Sequence, residues 1–365
     1  MSDRLVPALI ASLGGIFLAF LLFVPWVAVQ YRHRGRFGFR RSIAALGFAS
    51  HSLSLITYTL LPLPEVRPGF CGEEGASGAQ LVPFQFVADV QKHAAGGAAS
   101  LLGNPAVQQM LFNIALFVPL GMFVRVLLNK GVAGTVATGF AASLLIEFTQ
   151  LTGVWFLYPC AYRLFDVDDL LANTTGAAFG ALLAPLLALL VKDAGSAPAT
   201  EPQPVTGWRR LLGALCDLAA VVLSGALLNA LFVLVAKIWD PSSTTSVLPE
   251  PANVLVSVLL CLVLPSQLGT GGTLGQRAVL LRPALADGSV PTNAHRFARV
   301  LLGTAMYFLL SGLPVLGPLF GLVSLIGLWR STGHRGLSGR LSGLRIVDER
   351  QARYDAEAPT QLIPR

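Results

Sequence analysis

The chain has 365 residues, of which 54% are hydrophobic and only 12% charged, with a mean hydropathy of +0.66. A soluble domain carries roughly 25% charged residues, so this composition excludes an ordinary soluble protein and predicts an all-α, polytopic transmembrane helical bundle, with length enough for two domains. The net charge of +7 does not require nucleic acid as a partner, because excess Lys and Arg in a membrane protein mark its cytoplasmic loops.

The first apolar run covers residues 5–29. It is longer than the core of a signal peptide, and no small-residue cleavage site follows it. The sequence YRHRGRFGFRR then sets Arg32, Arg34, Arg36, Arg40 and Arg41 in one short loop. Positive charge stays inside, so the loop is expected in the cytoplasm and the N-terminus outside. A second run, 42–61, stops at Pro62 and Pro64. The outer segment 62–105 is rich in Gly, Ala and Pro, carries Glu73 and Glu74, and contains LVPFQFVADV, a short stretch suited to the membrane surface. Runs at 106–128, 132–152 and 169–191 complete five spans. Arg125, Lys130 and Lys192 fall inside on this count, and the acidic connection between the fourth and fifth spans falls outside.

A first transmembrane domain is thus predicted over residues 1–192, followed by a Pro- and Ala-rich linker at 193–207. The second domain, 208–347, holds apolar runs at 211–236 and 253–264 and a cytoplasmic loop with Arg277, Arg282, Arg296 and Arg299. Its last apolar region, 300–328, is broken by Gly312, Pro314, Gly317 and Pro318. A hairpin there returns the basic residues Arg330, Arg335, Arg340 and Arg345 to the cytoplasm, where the polar tail 348–365 also lies. Backbone breaks at membrane depth are tolerated when protein covers them.

Polar side chains gather between residues 141 and 176. Glu147 and Gln150 share one helix face by their i, i+3 spacing. Asp166, Asp169 and Asn173 share a face of the next helix, and Asp168 points away from it. Asp166 also stands where an N-cap is needed. An acid inside an apolar span needs a partner or a proton, and Arg163 is the candidate partner of Glu147. Asn113 reads as an interhelical hydrogen bond, and Pro119 with Gly121 as a bend that opens room beside the carboxylates. Gly176 and Gly180, four apart, suit close helix packing. Cys71 and Cys160 both fall in loops assigned to the outside, where a disulfide is permitted. Cysteines and histidines show no ligand spacing, so neither metal nor cofactor is expected, and phosphate-loop, nucleophile-elbow and H-E-x-x-H motifs are absent.

The runs NIALFVPLG (Asn113 to Gly121) and EFTQ (Glu147 to Gln150), followed by Arg163, Asp166, Asp169 and Asn173, resemble the VanZ-like family over roughly residues 40–190. The resemblance implies a polar site formed by Asn113, Pro119, Glu147, Gln150, Arg163, Asp166, Asp169 and Asn173, and a link to glycopeptide (teicoplanin) resistance. It supplies no reaction. In the second half, WRRLLGALCD with Arg210 and Asp217, TLGQR, and GHRGLSGRLSGLRIV resemble an RDD-type membrane domain. That family's acidic position in the tail is Gly339 here, a departure from any function needing two aspartates. Asp217 is expected to pair with Arg209 or Arg210.

Three functions compete. One is a protein that binds or shelters cell-envelope components at the outer face, such as a lipid-linked cell-wall precursor or a cationic drug. Another is an intramembrane enzyme on lipid-linked substrates, with Glu147 or an Asp as base. The third is a transporter coupled to protons or cations through Glu147. The first is favoured, because catalytic motifs and the internal repeats of transporters are both missing. The bilayer itself is the expected partner, and the sequence does not define an oligomeric state.

Overall fold

The computed structural model describes residues 2–61, 63, 65–67, 70–73, 78–92, 102–161, 163–192, 199–240, 242 and 247–351, with backbone alone at 2–12 and 72–73. Pro62, Pro64, Glu74, linker residues 193–198 and tail residues 352–365 lie outside the described residues. Among the described residues, seven helices are long and apolar enough to cross a membrane. The protein is a multi-pass helical membrane protein. The chain folds into two compact units, one made of Met1–Ala19 and Gly38–Ala194, the other of Phe20–Phe37 and Gly195–Arg365.

Helix α1, Ser2–Arg34, contributes residues to both units. It runs on through Arg32, His33 and Arg34, which were expected in a loop. Cations suit the negative end of a helix dipole, so the last turn keeps them. Helix α2, Phe39–Leu60, takes in Arg40 and Arg41 from the same basic run. Buried Arg41 donates from Nη2 to the Leu127 carbonyl at 2.7 Å.

The rest of the first unit is built by the short helix α3, Gln85–Lys92, and the long helices α4, Pro105–Leu127, α5, Val132–Leu151, and α6, Val167–Val191. Strands β1, Ala79–Gln80, and β2, Phe165–Asp166, pair in parallel just before α6. Phe117, Leu120 and Val124 of α4 pack with Leu55 of α2 and Ile146 of α5. Outward faces stay apolar, with Leu182, Leu186, Leu189 and Leu190 of α6 all exposed. Such a surface is stable only against lipid or another apolar partner. A disulfide joins Cys71 to Cys160 across 89 residues of sequence, with Cα atoms 5.9 Å apart.

In the second unit, α7, Gly207–Trp239, is longer than the predicted span, because the Thr206 hydroxyl caps it by accepting from Arg209 N at 3.2 Å. Exposed Trp208 and Trp239 stand at its two ends, as aromatic residues do at membrane interfaces. Helix α8, Glu250–Gln267, contains a π-helical turn at Leu259–Val263. A single capped turn, α9, Leu274–Ala278, leads to strand β3, Leu281–Ala284, which pairs antiparallel with β4, Arg345–Asp348. Neither strand shows the apolar alternation that would have predicted this ladder, and β3 is buried at all four residues.

The last apolar region is two arms. Helix α10, Asn293–Val300, continues through a π turn at Leu301–Ala305 to Leu310, the helix breaks at 311–315, and α11, Leu316–Arg330, follows. Gly317 lies where a Cβ would come within 2.9 Å of the Leu310 carbonyl, so the arms meet at that glycine. The short helix α12, Gly336–Leu341, precedes β4.

Candidate functional site

Helices α4 and α6 approach so closely that a Cβ at Gly121 would overlap the Ala177 carbonyl, and Cβ atoms at Gly176 and Gly180 would overlap the carbonyls of Ile114 and Val118. Gly139 of α5 makes the same allowance for the Ala177 methyl. These small residues let backbones pack without side chains between them. The first turn of α6 is thereby held between the facing helices, and that turn carries the aspartates.

Asp166 caps α6, its Oδ1 accepting from Asp168 N at 2.8 Å. Gln80 Nε2 also donates to Asp166 Oδ1, at 3.4 Å. Asp168 turns the other way and accepts from Phe84 N at 2.6 Å and Phe86 N at 2.8 Å, satisfying donors at the start of α3. Asp169 faces α4, where Asn113 Nδ2 donates to its Oδ1 at 2.6 Å and Gln109 lines the same cavity. Further along α6, Asn173 turns to α5 and donates to Ser143 Oγ at 2.9 Å. The predicted face of Asp166, Asp169 and Asn173 therefore splits between two neighbouring helices.

A cavity of about 310 Å³ opens in this unit. Asp89, Asp166, Asp168 and Asp169 give it four carboxylates, and Phe84, Phe86, Met110, Ile114 and Leu171 give it apolar walls. Among the described lining residues there is no Lys, Arg or His. Burial raises the Asp166 carboxyl above its ordinary range; the Asp168 N–H opposes this, and the charges of Asp168 and Asp89 add to it. Such an arrangement attracts a cation and offers hydrogen-bond acceptors beside a greasy wall.

The remaining predicted residues lie elsewhere. Glu147 is 3% exposed, and its Oε2 accepts from Asp166 N at 3.0 Å. Arg163 does not pair with it. Its Nη1 donates to the Thr59 carbonyl at 3.0 Å and its Nη2 to the Leu61 carbonyl at 3.4 Å. Gln150 Nε2 reaches the same Thr59 carbonyl at 2.7 Å. The last carbonyls of α2 lack intrahelical donors, and they take the guanidinium that charge alone assigns to Glu147. Pro119 does not line the cavity; it is half-buried inside α4, next in the chain to the core residue Leu120.

In the second unit, Asp217 pairs with neither Arg209 nor Arg210. Its oxygens accept from Thr273 Oγ1 and Gly275 N, both at 2.7 Å. The capping turn of α9 presents two donors in the right place, so the carboxylate serves that turn. Arg209 instead bridges to Asp348 at 2.8 Å, both side chains buried, and lies 5.3 Å from the centre of the Tyr31 ring. Arg210 donates from Nη1 to the His334 carbonyl.

Phe84, Phe86, Asp89, Gln109 and Met110 line the cavity but do not stand out in the sequence. Gln109 carries a signal, since it stands one helical turn before Asn113 and shares its face. Asp89 and the two phenylalanines lie in the surface-seeking stretch LVPFQFVADV, whose hydrogen bonds to α6 run through Asp168 and leave no periodic trace. No curated protein and no solved structure matches the chain. Every residue lining the acidic cavity falls within residues 48–188, the stretch that matches the VanZ/LLP1 family.

Proposed function

We propose that the first unit binds the cationic or amine-bearing head of an amphiphile at the outer face of the membrane, and so shelters or handles a cell-envelope component or a drug. The observation that carries this reading is the cavity of four carboxylates and apolar walls, with no cation among its described lining residues. Its volume of about 310 Å³ is at the small end of ligand sites, which run from roughly 300 to 1,000 Å³, and suits a headgroup more than a whole drug. The Cys71–Cys160 disulfide favours an oxidising compartment for the loops around the cavity. The basic run from Arg32 to Arg41 favours the cytoplasm for the opposite end. This reading extends to a lipid-linked cell-wall precursor as ligand and to teicoplanin resistance as phenotype. The second unit is read as RDD-like in its sequence pattern, with the linker and the C-terminal tail cytoplasmic.

One observation favours a second reading. Glu147 is buried in α5 and, among the described residues, forms no ion pair. A carboxyl in that position can carry a proton, so a proton-coupled transporter is the competing function.

A deletion strain complemented with the parent, Asp169→Asn and Glu147→Gln separates the two. The binding reading expects Asp169→Asn to lose protection against teicoplanin or cationic amphiphiles, with no proton flux in vesicles of the purified parent. Full protection by Asp169→Asn removes the proposed site. Ligand-driven proton uptake that Glu147→Gln abolishes replaces it with the transporter.

A further inference from the structure

The second unit holds a cavity of about 60 Å³ with an unbalanced charge. Arg210 of α7, Arg299 of α10 and Asp217 line it, together with Thr273, Gln276, Thr304 and others. Two guanidinium groups thus face one carboxylate. Asp217 has both oxygens occupied by Thr273 Oγ1 and Gly275 N. Among the described residues, no ion pair joins it to either arginine.

Arg299 is 4% exposed. Its Nη1 donates to Gln276 Oε1 at 3.2 Å, and its buried Nε has no hydrogen-bond partner among the described residues. Gln276 is a poor counterpart, because it is neutral and its oxygen also accepts from Thr273 N at 3.3 Å. Arginine keeps its proton in proteins, so the charge cannot be shed. A buried charge needs a counterion, and an orphaned buried donor calls for explanation. Ser338 of α12 and Thr304 of the π turn place hydroxyls in the lining, and a hydroxyl can donate to an anion as readily as it accepts.

We infer that this cavity is a binding site for a small monovalent anion, a halide or a short carboxylate, held between Arg210 and Arg299. One negative charge balances the excess of one positive charge in the lining. The volume of about 60 Å³ has room for about two waters at roughly 30 Å³ each, enough for such an ion and too little for a lipid headgroup. The anion would tie α7 to α10 and α12 by balancing the positive charge that Asp217 alone leaves over.

The test uses the full chain in detergent with chloride as the probe. Thermal unfolding is followed in sodium chloride against sodium gluconate at constant ionic strength. A bound ion stabilises the folded chain by mass action, so the midpoint should rise saturably with chloride. Arg299→Gln, which removes the charge, should lose the rise. Ser338→Asp supplies a tethered carboxylate and should also lose it, while being as stable in gluconate as the parent is in chloride. Bromide soaked into crystals of the parent should give an anomalous peak between the two arginines. Equal midpoints for the parent in chloride and gluconate would overturn the site, and so would a full chloride response in Ser338→Asp. If Arg299→Gln does not fold, the parent and Ser338→Asp decide the question by themselves.

Discussion

Asp168 holds the aromatic lip of the acidic cavity with two backbone hydrogen bonds, to Phe84 N and Phe86 N. Asp168→Ala removes the acceptor of both N–H groups and, since water can reach the exposed Phe84 N–H, should cost about 1–2 kcal/mol, read as the detergent unfolding midpoint. Glu147→Gln retains an acceptor for Asp166 N and should stay within about 0.5 kcal/mol of the parent, whereas Glu147→Ala should cost about 1–3 kcal/mol. Equal losses in the two variants would show that the hydrogen bond to Asp166 N is not what Glu147 contributes. Asp348 gives a pH signature. Burial opposes its charge, but the hydrogen bonds from Arg350 and Gln203 N and the charge of Arg209 outweigh it, holding the carboxyl down at about 2. A depressed acid adds stability that is present above the unfolded value of about 3.9 and is lost as pH falls through the folded value. Stability should therefore drop by about 2 kcal/mol between roughly pH 4 and pH 2, and Asp348→Asn should flatten that part of the profile. At this scale the sequence was half legible. Asp166 announces itself as a cap because capping is local. The partners of Arg163 and Asp217 did not, since a carbonyl at a helix end and a loop N–H compete for charged groups and neither is visible in a residue pattern.

Helix packing in the first unit rests on α4 and α6, whose glycines meet the opposing backbone. Gly180→Leu should force the pair apart and cost at least about 3 kcal/mol, near the upper end of overpacking penalties. The same change at exposed Gly103, where nothing lies within 4 Å, should be nearly neutral in the same unfolding assay. The small-residue spacing at Gly176 and Gly180 was readable in advance, because a four-residue period on an apolar helix has few other uses. Span existence was readable for the same reason, while span ends were not. Helix α1 absorbed three basic residues and α7 gained turns at both ends, because caps and dipoles extend helices past the apolar run. The disulfide closes a loop spanning 89 residues. Replacing Cys71 and Cys160 together by serine should cost about 4–5 kcal/mol in the chain-entropy view, and non-reducing peptide mapping of native protein should recover the joined pair. Finding both thiols free would remove the main support for an oxidising compartment.

At the scale of the whole molecule, composition alone settles the membrane, since 12% charged residues cannot cover a soluble fold of this length. What composition leaves open is where the charges sit. The first unit concentrates carboxylates in one cavity, and the second buries arginines such as Arg209, Arg296 and Arg299. The sequence showed Asp166, Asp168 and Asp169 as a cluster but not that Asp89, 77 residues before Asp166, joins it. The central claim is that this cavity selects a cationic head. The direct measurement is equilibrium binding to the full chain in detergent, with amphiphiles of one chain length carrying an ammonium or a sulfate head. The ammonium ligand should bind at least about tenfold tighter, a difference of about 1.4 kcal/mol. Its affinity should begin to fall at a higher pH than an ordinary aspartate would give, because burial raises the Asp166 carboxyl. Asp166→Asn with Asp169→Asn should erase the preference, and equal affinity for the two heads in the parent would contradict it.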